Sequence, residues 1–348
     1  LASGQRGLIK LVDGKRWLSA TVLYPHAVLT ESDVRDLLDH WAGELAAVAQ
    51  LVTAGVDVGM SPSDVPGVDL TQDDIDHLAR AYPGARLWPL SPLQGGLFFQ
   101  SALAGGMADV DVYVAQAVLR LNGADGARLR TAAEKLVAQH SVLRSGFVPT
   151  GSGSVVAVVA EHVDLPWTDV DLTGVDDESA KARIDQLVAE QRVAPFDLSA
   201  PPLLRFVLVR HGDSATLIVT NHHIILDGWS GPLVLADMLA LYATGSTYTE
   251  QVSGGATGDF GDYLRTIAGR DDDAAFAAWR QVLAPVVGPT LVAPGYTASK
   301  EVLPQDIRTQ LTPDLVAGLE AAARASGATL ATALQFAWAV FLSRLTGD

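Results

Sequence analysis

The sequence predicts an α/β protein with two lobes. The chain has 348 residues, of which 49% are hydrophobic, so it is long enough to form two substantial cores. From residue 87 onward, short strand-like runs alternate with segments whose apolar residues recur at helical spacing. This alternation is typical of sheets that are covered by helices.

Composition narrows the classes of partner and site. The formal net charge of −16 would repel polyanions, and no Lys/Arg cluster offsets it, so nucleic acid is not an expected partner. The sequence contains no cysteine, which excludes disulfides, thiolate zinc sites and cysteine nucleophiles. No apolar run approaches the length of a bilayer span, and no signal-like amino terminus is present. We therefore expect a soluble, cytoplasmic protein without a membrane partner.

Local signals predict the elements of the first 86 residues. Asp13-Gly14 is a hairpin turn signal, and Thr30 and Thr71 are typical caps at the start of a helix. The predicted elements are a hairpin over 7–12 and 17–23, a helix after Thr30, a Gly/Ser/Pro-rich stretch over 53–70 and a helix over 71–83.

The rest of the chain carries the α/β pattern. Predicted strands lie near 112–121, 155–161, 203–210 and 215–222, and predicted helices near 127–140, 178–192, 231–243, 259–285, 313–325 and 329–345, with 291–312 partly extended. The chain begins at Leu1 rather than Met and ends at Asp348, just after an apolar helix pattern, so we expect it to be a piece of a longer protein.

A pair of histidines at the end of an apolar strand is the most informative feature. His222 and His223 follow the alternating run 216–220. Because successive side chains of a strand point to opposite faces, the two rings should have different environments. We expect His223 to face a cavity as the reactive group and His222 to lie in the interior.

Two other kinds of site compete for this segment. A zinc site could use His222, His223 and Asp227, but adjacent strand histidines diverge and no HExxH pair or cysteine supports it. A serine hydrolase could use Ser230, but Pro232 replaces the last glycine of the GxSxG turn. We expect Ser230 instead to cap the helix that follows. No glycine-rich phosphate loop is present.

The whole segment resembles a known family signature. His-His-x-x-x-Asp-Gly followed by Trp resembles the motif of the condensation domains of non-ribosomal peptide synthetases, which share a fold with chloramphenicol acetyltransferase. Three further segments occur in the order that the family requires: Leu90-Ser91-Pro92-Leu93-Gln94-Gly95-Gly96-Leu97-Phe98-Phe99, Gln139-His140-Ser141-Val142-Leu143-Arg144-Ser145-Gly146-Phe147, and Pro195-Phe196-Asp197-Leu198 with Pro202-Leu203-Leu204-Arg205.

The resemblance covers residues 87–348 and has one local departure. The second motif usually opens with Arg-His, whereas this chain has Gln139-His140, so any role of that first arginine is absent. The resemblance implies the two-lobe chloramphenicol acetyltransferase-like fold, with residues 87–258 as the first lobe and 259–348 as the beginning of a truncated second lobe. Later motifs of the family should lie beyond Asp348, so the activity of this piece alone is in question.

The amino-terminal segment resembles a related domain. Residues 1–52 are similar to the carboxyl-terminal tail of an epimerization domain, and residues 53–86 then form the linker. The form of the first motif, together with Asp227-Gly228-Trp229-Ser230, is similar to the subclass that accepts a donor ending in a D-residue. The alternative is that residues 1–52 are a generic hairpin and helix.

The resemblance also implies a reaction and residue roles. Upstream and downstream carrier proteins would present a peptidyl thioester and an aminoacyl amine on phosphopantetheine arms, and the domain would join them in an amide without a cofactor of its own. His223 would contact the reacting amine. His222, Asp227, Gly228 and Arg144 would be structural, with Asp227 accepting hydrogen bonds or pairing with Arg144, and with Gly228 allowing a special backbone conformation or close approach. Ser91, Gln94, Trp229 and Ser230 are candidates for a substrate channel, although packing is the favoured role of Trp229.

Two other functions stay open at this point. Domains of this fold also bind carriers or recruit enzymes without catalysis, and freestanding members of the superfamily transfer acyl groups from CoA.

Overall fold

The computed structural model describes residues 8–12, 15–19, 21–54, 59–107, 111–245, 258–295, 307 and 309–347. The chain divides into two compact units, residues 1–61 and 62–348, which are described separately. The predicted turn at Asp13-Gly14 lies outside the described residues, as does most of 291–312.

The first unit contains the predicted hairpin and helix. Strands β1 (Leu8–Val12) and β2 (Lys15–Ser19) pair antiparallel, and helix α1 spans Glu31–Thr53. Thr30 caps α1 as predicted, because its hydroxyl accepts a hydrogen bond from Asp33 N while the Asp33 carboxylate accepts one from Thr30 N at 2.8 Å. Val34 is buried, whereas Trp41 and other apolar side chains of α1 are exposed.

The second unit begins before residue 87. Helix α2 (Gln72–Ala81) and strand β3 (Arg86–Trp88) are tied to later segments: Asp74 Oδ1 accepts a hydrogen bond from Gly151 N at 2.8 Å, and the Tyr82 hydroxyl donates to Ser199 O at 2.8 Å. Val65, Leu70, Ile75 and Leu78 are buried. Residues 62–86 therefore fold with the second unit, and the linker predicted over 53–86 is too long.

A four-stranded sheet forms the centre of this unit. Its strands are β4 (Val114–Asn122), β7 (Trp167–Asp171), β8 (Leu204–His211) and β9 (Ser214–His222), in the order β4-β9-β8-β7, and β7 alone runs parallel to its neighbour.

Helices cover both faces of this sheet. Phe206 and Leu208 point into the core formed with α4 (Gly126–Gln139) and α6 (Ser230–Thr244), whereas Val207 and Val209 pack toward α5 (Asp177–Val193). Alternation along each strand thus supplies two apolar faces from one sequence run. The segment that carries the histidine pair lies at the buried end of β9, beside the buried start of β8.

A smaller sheet and further helices complete the unit. Strands β5 (Ser145–Pro149) and β6 (Val155–Val159) join β3 in the order β3-β6-β5, and α3 spans Pro92–Met107. The remaining helices are α7 (Phe260–Ala268), α8 (Asp272–Leu283), α9 (Pro313–Ala325) and α10 (Leu330–Thr346). Asp259 joins α7 to the sheets, since its carboxylate accepts hydrogen bonds from Arg86 Nη1 at 2.7 Å and Ser141 Oγ at 2.5 Å.

Most of the predicted long elements are present, but several short strands and the 16-residue helix α3 were missed. The four predicted strands and the helices near 127–140, 178–192 and 231–243 all match to within two residues. Strands β3, β5 and β7 have only three to five residues, too few to show a period, and α3 contains Gly95-Gly96, which disfavours a helix prediction. The single helix predicted over 259–285 is two helices, because the chain breaks at 269–271.

No single helix of the described ranges is long and apolar enough to cross a bilayer. Taken together, helices α9 and α10 have the length and apolar composition of a membrane span, but they are bent by 100° at their junction.

Candidate active site

The histidine loop, defined as residues 222–229, joins the end of β9 to α6. The chain turns at once after the strand, since Ile225 N donates a hydrogen bond to His222 O at 3.3 Å. The next three apolar residues are buried in the main core, and the chain returns to the surface at Asp227. Burial of Ile224, Ile225 and Leu226 therefore anchors the loop that presents His223.

The two histidines have different environments, as alternation along a strand predicts. The His222 side chain is 0% exposed, whereas His223 is partly exposed. Both backbones are held: His222 N donates to Leu203 O at 2.9 Å, and His223 N donates to Tyr113 O at 2.7 Å. Within the ranges that the structure describes, the His223 imidazole makes no hydrogen bond, so its ring nitrogens can contact another molecule.

Every polar atom of the His222 ring has a partner. Nδ1 accepts a hydrogen bond from Ile224 N at 3.1 Å, and Nε2 lies 3.1 Å from Ser101 Oγ and 3.0 Å from Asp111 Oδ2. Buried polar groups are expected to be paired in this way. His222 is therefore buried and fully paired, which is the environment that the sequence predicts for it.

Sequence reasoning missed Ser101 and Asp111. Neither residue belongs to a recognised motif, and they precede His222 by 121 and 111 residues. The only signal available was indirect: a buried histidine requires partners, but the sequence does not say which residues supply them.

Asp111 holds this cluster as a carboxylate. Burial acts to raise its pKa, but hydrogen bonds from His222 and from Tyr113 N outweigh burial, so the pKa lies below its ordinary value. The Tyr113 N to Asp111 Oδ1 distance is 2.8 Å.

Asp227 caps α6 rather than pairing with Arg144. Its Oδ1 accepts hydrogen bonds from Trp229 N at 3.1 Å and Ser230 N at 2.6 Å, and its side chain is exposed. The hydrogen bonds from Ser230, and then that from Trp229, lower the pKa of Asp227. Asp227 thus accepts hydrogen bonds as predicted, but the pair with Arg144 is absent. The prediction that Ser230 caps this helix is wrong, because Ser230 is its first residue and donates to Asp227.

Arg144 is bound to main-chain carbonyl groups. Its Nε donates to Ala160 O at 3.0 Å, and its Nη1 donates to Val137 O at 2.7 Å and to Ala138 O. Val137 and Ala138 lie in the last turn of α4, where carbonyl groups lack helical partners and a cation is favourable. Burial, the largest cause, lowers the pKa of Arg144. Its hydrogen bonds go to these main-chain groups and not to Asp227.

Gly228 and Trp229 differ from their predicted roles. Gly228 has no positive φ, and a Cβ at this position would meet no atom within 4 Å, so neither a special conformation nor close approach requires glycine here. The Trp229 side chain is 82% exposed, so the favoured packing role is wrong. Trp229 and Ser230 remain on the accessible side of the histidine loop.

Ser91 and Gln94 lie beneath the histidine loop. Ser91 N donates to Gln94 Oε1 at 3.0 Å and Gln94 N donates to Ser91 Oγ at 3.2 Å, which is a capping box at the start of α3. Gln94 Nε2 also donates to Ile224 O at 3.2 Å. Both of these channel candidates are buried and make hydrogen bonds within the protein.

The second motif packs closely against neighbouring segments. His140 Nε2 lies 2.9 Å from Oδ2 of Asp237, a residue of α6 that is 1% exposed. A Cβ at Gly146 would lie 2.8 Å from Pro201 Cδ and 3.1 Å from Ser199 O. Glycine is therefore needed at position 146 for space.

Other features of the surface lie away from the histidines. A cleft of about 850 Å³, lined in part by Asn122, Arg210, His211 and Asp213, opens at the start of β9, roughly 25 Å from His222 along the strand. Across the described part of the chain, no group of three or more His, Asp or Glu side chains could hold a metal ion.

Comparison with known proteins identifies the family. The Condensation domain family model matches residues 85–348. The chain is 32% identical over 339 residues to one of the proteins that make up the linear gramicidin synthase of Brevibacillus parabrevis, covering 95% of this chain and 4% of that protein. It is 30% identical over 332 residues to a chondramide synthase of Chondromyces crocatus, covering 82% of this chain and 8% of that protein. The chain thus spans a small part of these relatives.

Solved structures agree in fold. The starter condensation domain of rhizomide synthetase, in complex with C8-CoA, superposes with a TM-score of 0.62 at 20% identity, covering 80% of this chain and 61% of that one. The first condensation domain of the calcium-dependent antibiotic synthetase gives 0.59 at 22% identity, covering 76% and 62%. The chain therefore belongs to the condensation-domain family of non-ribosomal peptide synthetases, a family of chloramphenicol acetyltransferase-like fold that catalyses amide formation and works with carrier-protein domains.

Proposed function

We propose that this chain forms an amide bond between a peptidyl thioester on an upstream carrier protein and an aminoacyl amine on a downstream carrier protein. One observation carries the proposal: the His223 imidazole is partly exposed and free to contact another molecule, while its backbone is held by Tyr113 O and its neighbour His222 is buried. The substrates would arrive on phosphopantetheine arms, and the domain would need no cofactor of its own.

The bond changes define what the site must do. The amine nitrogen attacks the thioester carbonyl carbon, a C–N bond forms, and the C–S bond breaks. The donor arm leaves as a thiolate, which takes up the proton that the amine loses and becomes a thiol. The attack requires a neutral amine held close to the carbonyl.

His223 is the residue proposed to contact the amine. A neutral imidazole can accept a proton or hold the amine through a hydrogen bond at neutral pH. Both roles need a ring nitrogen that is not already bonded within the protein. His223 meets that requirement in the described structure, whereas His222 does not.

The proposal extends to the donor and to the segment upstream. Residues 1–52 would be the tail of an epimerization domain in the same chain, and the donor would end in a D-residue. The sequence resemblance supports this assignment, and the separate compact unit over 1–61 agrees with it. We also propose a cytoplasmic location, since carrier-bound intermediates would be assembled there.

Exchange of His223 tests the catalytic assignment. In a protein that includes this chain and both carriers, His223→Ala should lower the rate of amide formation by roughly 10²- to 10⁴-fold and leave the melting temperature near that of the parent. His162→Ala is the matched control, because His162 is an exposed histidine outside the histidine loop. Near-normal turnover of His223→Ala would contradict the assignment.

Intact-mass analysis of the downstream carrier tests the reaction and the donor together. With donors ending in a D- or an L-residue, the proposal expects the downstream carrier to gain the donor mass faster from the D-form. An equal gain in mass from both donors would contradict the proposed preference for a donor that ends in a D-residue. Binding of both carriers without any gain in mass would replace catalysis by recruitment, and transfer from acyl-CoA alone would replace it by CoA-dependent acyl transfer.

A further inference from the structure

The ring of His222 is held in one tautomer. A backbone N–H can only donate, so the hydrogen bond from Ile224 N requires that His222 Nδ1 carries no proton. In the neutral ring the proton is therefore on Nε2, which faces Asp111 Oδ2 at 3.0 Å and Ser101 Oγ at 3.1 Å. A carboxylate at this position favours the same tautomer because it can only accept.

Asp111 is connected to both histidines at once. Its Oδ2 contacts the His222 side chain, and its Oδ1 accepts the hydrogen bond from Tyr113 N. Tyr113 O in turn accepts the hydrogen bond from His223 N at 2.7 Å. One carboxylate therefore contacts both the ring of His222 and the backbone segment that holds His223.

Among the described residues, Asp111 is the charged side chain that contacts the His222 ring. The His222 ring also neighbours the aromatic rings of Phe196, with centroids 6.4 Å apart, and Tyr113, at 6.5 Å. These rings exclude water and strengthen a buried ionic hydrogen bond, but they do not select a tautomer.

We infer that Asp111 is a positioning residue for His223, acting through His222 and through the Tyr113 backbone. The inference rests on the proposed function, because it concerns the rate at which His223 promotes amide formation. The hydrogen bonds of Asp111 go to His222 and Tyr113 and not to His223, so its proposed role is positioning and not catalytic. A displacement of about 1 Å at a reacting group can lower a rate by about 100-fold, which sets the size of the expected effect.

The first experiment examines the tautomer without any substrate. Nitrogen-15 NMR of the His222 ring in the complete chain should show an unprotonated Nδ1 and a protonated Nε2 at neutral pH. Asp111→Ala should remove this preference or shift both ring signals. A protonated Nδ1 in the parent chain would overturn the inference.

The second experiment measures rate and carrier affinity separately. In the protein with both carriers, Asp111→Ala should lower the rate at saturating carriers by about 10- to 100-fold and leave the half-saturating carrier concentrations unchanged. Asp111→Asn removes the charge and keeps one acceptor oxygen, so it can accept only one of the two hydrogen bonds, and its rate should fall between those of the parent and Asp111→Ala. If Asp111→Ala fails to fold, Asp111→Asn decides by the same comparison.

Asp176→Ala is the matched control. Asp176 also accepts a backbone hydrogen bond, from Ser179 N at 2.9 Å, but at the start of α5 and outside the histidine cluster. It should lose stability and keep the parent rate. Equal rates for Asp111→Ala and Asp176→Ala, with an active parent, would overturn the inference and leave the proposed function intact. An inactive parent would overturn the proposed function and this inference with it.

Discussion

At the scale of the residue, two charged side chains near the histidine loop, Asp227 and Arg144, make their hydrogen bonds with the main chain. Asp227 accepts two backbone N–H groups, and Arg144 donates to three carbonyl groups. The family resemblance had suggested that these two residues pair with each other. The sequence shows which residues carry charge, but the folded structure shows which backbone groups these residues bind.

A double-mutant cycle tests whether Arg144 and Asp227 are independent. Arg144→Ala should cost about 1.5 to 3 kcal/mol, because charge-assisted hydrogen bonds are lost, and Asp227→Ala about 1 kcal/mol, as for loss of a helix cap. Since they share no partner, the two costs should add to within about 0.5 kcal/mol. Denaturant unfolding of both single variants and the double variant measures this. A coupling energy above about 1 kcal/mol would show that Arg144 and Asp227 do interact as an ion pair.

Two glycines of the family motifs should respond in opposite ways to alanine. Gly146→Ala should destabilise the protein by about 1 to 3 kcal/mol, because the new Cβ would overlap Pro201 and the Ser199 carbonyl group. Gly228→Ala should change the free energy of unfolding by less than about 0.5 kcal/mol, because its Cβ meets no neighbour. Thermal or denaturant unfolding compares the two. A larger loss at Gly228 would mean that glycine is required there after all.

At the scale of the element, helix starts are well determined by local sequence. Thr30 and Thr71 were predicted as caps, and both form complete capping boxes, with Asp33 and Asp74. The cap of α6 was predicted wrongly because Ser230 and Asp227 are both acceptable cap residues. Only the direction in which the histidine loop leaves β9 decides between them.

The cap of α2 should contribute stability that depends on pH. Hydrogen bonds from Thr71 N, the Thr71 hydroxyl and Gly151 N hold the pKa of Asp74 at about 2, against 3.8 for an unperturbed group. Because the folded pKa is lowered, the contribution is complete above about pH 4 and is lost as the pH falls toward 2.

Melting temperatures measured between pH 5 and pH 2 check this dependence. The difference between the parent and Asp74→Asn should shrink as the pH falls through this range. Asp73→Asn is the control, since Asp73 is an exposed neighbour on the same helix. A difference that stays constant down to pH 2 would contradict the assignment of the shift to Asp74.

At the scale of the whole molecule, charge and packing have separate consequences. Residues 62–86 were predicted as part of a linker because the stretch over 53–70 is rich in Gly, Ser and Pro, yet several of their apolar side chains are buried in the second unit. A composition rich in Gly, Ser and Pro indicates local flexibility, but it does not show which segments are buried against one another. Net charge, by contrast, follows from composition alone.

The net charge of −16 predicts that the chain does not bind nucleic acid. In fluorescence anisotropy with a labelled DNA duplex at about 0.15 M salt, no binding should occur at micromolar protein, because neither charge nor a basic cluster attracts phosphate. A basic DNA-binding protein serves as the positive control. Binding that weakens as salt rises would reveal a local basic surface that outweighs the net charge.

The sequence by itself determined the α/β class, most of the longer strands and helices, the caps at Thr30 and Thr71, and the different environments of His222 and His223. Each depends on periodicity or on residues a few positions apart, which the linear order preserves. Only the tertiary structure decided the partners of Arg144 and His222, and that Asp227 accepts local backbone groups instead of pairing with Arg144. Those of Asp227 and Arg144 are backbone groups that any residue offers, and Ser101 and Asp111 lie more than 100 positions from His222. Folding of β4 beside β9 brings Asp111 to the histidines, and no local pattern records that approach.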